Sequence, residues 1–190
     1  MATALSGIGK ETSKGSGGIY EVYCTELANV SGATAAAGIA SFASDAGVWS
    51  RYVLGKEAGS NFVSNGASDI AAGTIQYEQV LTMIFKKNQV AKRNELKVLG
   101  QSELVFVVND NDAPQTATGS CTIGDLYICG LETCTNPGGA EMITSVISTG
   151  SQLSEANNMT INLSVKETFP PLAITEADYL LIRAGSAVTV

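Results

Sequence analysis

Apolar and polar positions alternate most regularly over residues 159–167, where Met159, Ile161, Leu163 and Val165 interleave with Thr160, Asn162, Ser164 and Lys166. A repeat of two sends one set to a core and the other outward, so this stretch predicts a β-strand. Residues 74–86 predict a second, unusually long one. Ile75, Tyr77, Leu81, Met83 and Phe85 share one face, and Gln76, Glu78, Val80, Thr82, Ile84 and Lys86 share the other. This length exceeds that of an ordinary strand, so the strand is expected to reach past its own domain.

Further strands are expected at 20–26, 104–108, 125–131, 142–149 and 178–183. Residues 104–108 are apolar without interruption, the pattern of a central strand covered on both faces. Turns are expected at Asn109 to Pro114 and at Asn136 to Gly139, where Asn and Asp side chains bond their own backbone and Pro fixes φ. One helix is expected over 88–99, with Asn88 as its cap, Gly100 as its stop, and Ala91, Val98 and Leu99 on its apolar side. Residues 28–46, mostly Ala, Gly and Ser, offer little to pack. They are read as a loop or weakly structured insertion that orders against a neighbouring copy.

The expected fold is therefore mainly β with one short α-helix, an antiparallel β-sandwich or barrel. At 190 residues the chain fits a single domain. Residues 1–18 read as a flexible N-terminal arm, 19–169 as the core, and 170–190 as a C-terminal strand or arm. Charged residues make up only 15% of the chain, which suggests that partners cover part of the surface. A formal charge of −7 has the wrong sign for a general nucleic-acid binder, whose affinity comes from neutralising phosphates. No stretch has the length and apolarity of a membrane span, so no membrane anchoring is expected, and the chain is read as cytosolic when made.

Catalytic chemistry has little to work with. The sequence contains no histidine, which removes Ser-His and Cys-His relays and the commonest general base and metal ligand. Asp110 with Asp112, or Glu132 with Glu141, are the carboxylate pairs that can be weighed for acid–base work, but acids in turns mostly serve local hydrogen bonds. Asp110 and Asp112 lack the glycine and glutamate of a calcium loop. The expectation is no enzyme, no metal and no cofactor. Cys24, Cys121, Cys129 and Cys134 lack paired spacing and are read as free thiols. The tyrosines and Trp49 are not interleaved with Arg or Lys, so they read as core and interface packing rather than base-stacking platforms. Five of the eleven basic residues fall between Lys86 and Lys97. Lys92, Arg93 and Lys97 form either a solvated helix face or a docking surface for an acidic neighbour.

A long strand ending in Phe85-Lys86-Lys87, one short helix, the buried run 104–108, a turn, Leu126-Tyr127-Ile128-Cys129-Gly130-Leu131-Glu132 and a final alternating strand follow one another in that order. This layout, over residues 19–169, resembles the virion proteins of long-tailed bacteriophages and through them the tail tube superfamily. The resemblance implies a β-sandwich flanked by one helix, homohexameric rings, and stacking of rings into a hollow tube of the virion tail that carries DNA only as passing cargo. It carries over no catalytic residue. With it, Gln76, Glu78 and Thr82 are expected to line the channel, and Lys92, Arg93 and Lys97 to meet acidic residues of an adjacent subunit. Other readings are a capsid decoration or head–tail connector protein, and, more distantly, a ligand-binding β-sandwich module.

Overall fold

The computed structural model describes residues 18–44, 48–54, 59–69, 73–86, 90–110, 126–133, 137–149, 157–185 and 187–188. The elements are β1 (Ile19–Glu26), β2 (Val30–Ala36), β3 (Ile39–Ser44), β4 (Ser50–Val53), β5 (Asn61–Asp69), β6 (Thr74–Lys86), α1 (Val90–Leu99), β7 (Leu104–Asp110), β8 (Leu126–Cys129), β9 (Glu141–Ser148), β10 (Asn158–Glu167), β11 (Leu172–Ile174), α2 (Glu176–Gly185) and β12 (Ala187–Val188). They form a sandwich of an eight-stranded sheet, in the order β12-β4-β1-β7-β8-β11-β3-β2, on a four-stranded sheet, β5-β6-β10-β9. Pairing is antiparallel except between β11 and β3 and between β12 and β4.

The two strongest sequence signals hold. In β10, Met159, Ile161, Leu163 and Val165 are buried between the sheets, where they meet Leu81 and Met83 of β6. In β7, Leu104, Phe106 and Val108 enter that inter-sheet core. Val105 and Val107 point the other way, into a second core closed by Tyr179 and Ile182 of α2. The unbroken apolar run thus marks a strand covered on both faces.

Three expectations are corrected. Most of the segment 28–46 is not a loop but the β2–β3 hairpin, paired from Val30 with Ser44 to Ala36 with Ile39. Ala37 and Gly38 turn it with φ of +52° and +80°. Positive φ at both turn positions matches the twist of the flanking strands. Small side chains hid the hairpin because its stability comes from β11 alongside β3 and from buried Ala40, not from its own β-propensity.

The strand expected at 178–183 is instead part of α2, so the described residues form two α-helices where one was expected. Thr175 caps α2: its Oγ1 accepts from the Asp178 N–H at 3.2 Å and donates to Asp178 Oδ2 at 2.6 Å. Glu176 and Asp178 in the first turn and Arg183 in the last complement the helix dipole. β11 meanwhile lies inside the large sheet, between β8 and β3.

The buried side of α1 consists of Leu96 and Leu99, while Ala91 and Val98 are exposed, the reverse of the expected stripe for those two. Asn88, Gln89 and most of the turn expected after Asn109 lie outside the described residues.

Candidate functional site

β5 and β9 are the outer strands of the small sheet, and both are exposed along almost their whole length. Val63, Ile143, Val146 and Ile147 are large apolar side chains open to solvent on them. Neither strand contains proline or lysine. Their only charges stand at one end, Asp69 on β5 and Glu141 on β9. Natural sheet edges are normally blunted by charge, proline, bulges or brevity, because unpaired N–H and C=O groups template pairing with another chain. A register break of this kind occurs on β2, an edge of the large sheet, between Ser31 and Thr34, and also on β9, where Ile143 is the extra residue opposite Asn162 and Leu163.

The outward face of the same small sheet carries amide and hydroxyl side chains interspersed with Val63, Val80, Ile84 and Val146. On β6, Gln76, Glu78 and Thr82 alternate outward with Val80 and Ile84, so the three expected channel residues do share one face. Thr82 stands opposite Asn162 on β10 and Asn61 on β5. Glu78 stands opposite Lys166 and Asn65, and Val80 opposite Ser164. Asn162 Nδ2 donates to Thr144 Oγ1 of β9 at 2.8 Å, which continues the polar surface across the sheet. Glu78 and Lys166 are opposite charges directly across a strand pair and offset each other.

Lys92, Arg93 and Lys97 lie on α1, away from that face. Lys92 Nζ donates to Lys86 O at 2.9 Å, and Arg93 and Lys97 are exposed. The helix is held by Tyr52, whose hydroxyl donates to Glu95 Oε1 at 2.6 Å.

Glu132 and Glu141 do not converge. Glu132 lines a groove with Glu26 and Glu103, while Glu141 lines a different depression with Glu78 and Lys166. Asp110 ends β7, and Asp112 lies outside the described residues. Cys24 and Cys129 are free and buried, and burial pushes both thiols above their ordinary pKa, which removes thiolate character. Cys121 and Cys134 lie outside the described residues. Among the described residues no group of His, Cys, Asp and Glu could hold a metal ion, and no helix is long and apolar enough to cross a membrane.

Two buried polar clusters escaped sequence reading. Glu167 closes β10 on its inward face, and its Oε1 accepts from the Gly130 N–H at 2.8 Å. Burial pushes its carboxyl up to about 7, against the opposing hydrogen bonds from Gly130, Gln79 and Leu131. Its odd register with Met159 to Val165 was the available signal. The second cluster joins Glu21 to Arg51, Asn109 and Tyr179, residues brought together from four elements.

No family model, curated protein or solved structure matches the chain.

Proposed function

We propose that this chain is a non-enzymatic structural subunit of a phage virion, the tail tube subunit. In this reading β5 of one copy pairs with β9 of the next to close a ring, and rings stack into a hollow tube. The observation that supports the reading is the small sheet itself, with two long edges almost free of charge flanking a mixed polar and apolar face on which Glu78 stands opposite Lys166. Because the two edges differ, each contact is heterologous, and repetition of one rotation closes such contacts into a ring. The four-stranded sheets then merge around a lumen lined by residues such as Gln76, Glu78 and Thr82. Such a wall has no uncompensated basic stripe, and the chain as a whole carries −7, so DNA passes without being held. Partners are further copies and other virion proteins, with no cofactor. Assembly takes place in the host cytoplasm and the product resides in the tail.

Negative-stain electron microscopy and sedimentation of the purified full chain over a wide concentration range test this. Hollow rings and stacks of rings are expected. Isolated knobs on a shell in particles favour the capsid-decoration alternative, and a monodisperse monomer at every concentration overturns the proposal.

A further inference from the structure

Strand direction fixes how β9 of one copy can meet β5 of the next. β5, β6, β10 and β9 are antiparallel neighbours in that order, so β9 runs opposite to β5. Rotation about a ring axis that follows the strands preserves their sense. A β9–β5 contact between copies is therefore antiparallel, like every pair inside the small sheet.

The faces of the strands then restrict the register. On β5 the odd-numbered residues from Asn61 to Asp69 face outward, and on β9 Glu141, Thr144, Val146 and Ser148 do. A slip of one residue turns every side chain of a strand to the wrong face, so the registers that keep outward against outward differ by steps of two. Three of these pair most of β9. Val63 opposite Ser148 uses the whole strand but, past the extra residue Ile143, sets Asp69 directly opposite Glu141, where like charges repel. Val63 opposite Thr144 leaves Ile147 and Ser148 beyond the end of β5. Val63 opposite Val146 matches 61–67 with all of β9 except Ile143, and carries Asp69 past the end of β9.

The last register also gives Ile147 a neighbour. Ile147 stands opposite buried Met159 and so faces the large sheet, yet it is 43% exposed on the outer strand. Its counterpart in that register is Phe62, whose ring packs on Phe106 and Tyr127. On the outward face, Val63 and Val146, both exposed, meet each other. Aromatic with β-branched side chains are among the favourable cross-strand pairs.

We infer that β9 of one copy joins β5 of a second copy in an antiparallel register that sets Val146 opposite Val63 and Ile147 opposite Phe62, with Ile143 as the extra residue. This rests on the tube reading and names the residues of its ring contact.

Paired cysteines read the register on the full chain, with circular dichroism checking the fold of each variant. Ser64→Cys with Ser145→Cys, and Val63→Cys with Val146→Cys, place thiols on directly opposite residues of the inferred ladder. Neighbouring pairs of such a ladder alternate between close and wide spacing, so the two variants sample both. Asn61→Cys or Asn65→Cys, each with Val146→Cys, report the registers slipped by two either way, a shift of about 7 Å along the strand that takes the thiols out of disulfide reach. Within one chain β6 and β10 hold the two edges about 14 Å apart, so a disulfide between the introduced thiols joins two copies. After mild oxidation, at least one in-register variant is expected to give a ladder of covalent oligomers on a non-reducing gel, about tenfold stronger than either slipped variant or the parent. An equal or stronger ladder from a slipped variant, or none from either in-register variant while the chain forms rings, overturns the inference and leaves the tube reading standing. Absence of rings from the unmodified chain overturns the tube reading and this inference with it.

Discussion

Tyr179 of α2 donates a 3.0 Å hydrogen bond to Glu21 Oε1 of β1, a contact between residues 158 positions apart. Asn109 Nδ2 of β7 reaches the same oxygen at 3.3 Å and the Tyr179 oxygen at 3.0 Å. Arg51 of β4 closes on Glu21 Oε2, with Nε at 2.6 Å and Nη2 at 2.5 Å. The Tyr23 ring meets Tyr179 edge-on at 5.7 Å. Apart from the bond from Asn109 to the Tyr179 oxygen, these polar bonds converge on a carboxylate that is itself buried, so α2 is fastened to the large sheet mainly through one shared acceptor.

Losing that acceptor strands several donors, whereas losing one donor strands little. Glu21→Ala is therefore expected to destabilise the fold by about 2–4 kcal/mol, below the full cost of breaking a deeply buried pair because Arg51 is partly solvated. Tyr179→Phe is expected to cost about 1 kcal/mol. Urea unfolding of the two variants checks the ranking; equal midpoints would show that the cluster does not hold α2.

Strands β6, β7 and β10 were readable because a strand with one or two covered faces writes a period of two or an unbroken apolar run. β5 was not. Its partner face contributes only Phe62 to the core, and residues such as Ser64, Asn65 and Ser68 carry no alternation to detect. α2 has its own signals, Thr175 three residues ahead of Asp178 and Tyr179 and Ile182 one turn apart, but its short apolar run reads equally as a strand. The shared face of Gln76, Glu78 and Thr82 follows from local alternation. The open edges on either side of it do not, because which strands end a sheet depends on long-range pairing.

Glu167 should give the fold a pH dependence. Its carboxyl is raised to about 7 in the fold from an ordinary value of 4.5. Between those values the folded state binds the proton more tightly than the unfolded chain does. The contribution is complete below about 4.5 and is lost as pH rises through 7. Cys129, beside it, stays neutral over this range because its own thiol is pushed up. Glu167→Gln keeps an acceptor for the Gly130 N–H and adds a donor for Gln79 Oε1, a buried oxygen otherwise without a partner. The variant is expected to be more stable than the parent by about 2 kcal/mol at pH 8 and to differ little near pH 5. Unfolding at the two pH values checks this, and the same gain at both would remove Glu167 as the titrating group.

Gly130, whose N–H holds Glu167, sits at φ +88°, and a Cβ there would stand 2.5 Å from the Leu104 carbonyl oxygen. Gly73 has φ +65° and open space around it. Alanine at Gly73 meets only the left-handed penalty of about 1 kcal/mol. At Gly130 it must also displace backbone, so a loss of more than about 3 kcal/mol is expected. A thermal-melt comparison that found the two losses equal would contradict the close approach.

The edges of the small sheet can be tested apart from the fold. Val63 on β5 and Val146 on β9 are exposed and face outward, opposite Val80 and Thr160 respectively. A lysine at either place puts an unpaired charge against any strand that adds to that edge, which is how natural sheets avoid such addition. In the isolated subunit the new ammonium stays in water, and exposed substitutions of this kind usually change stability by no more than about 0.5 kcal/mol. Val63→Lys and Val146→Lys are therefore each expected to leave the melting transition almost unchanged and to remove rings from electron micrographs. Each copy uses both edges in a closed ring, so either substitution suffices. If each variant still forms rings, the contact between copies runs through some other surface.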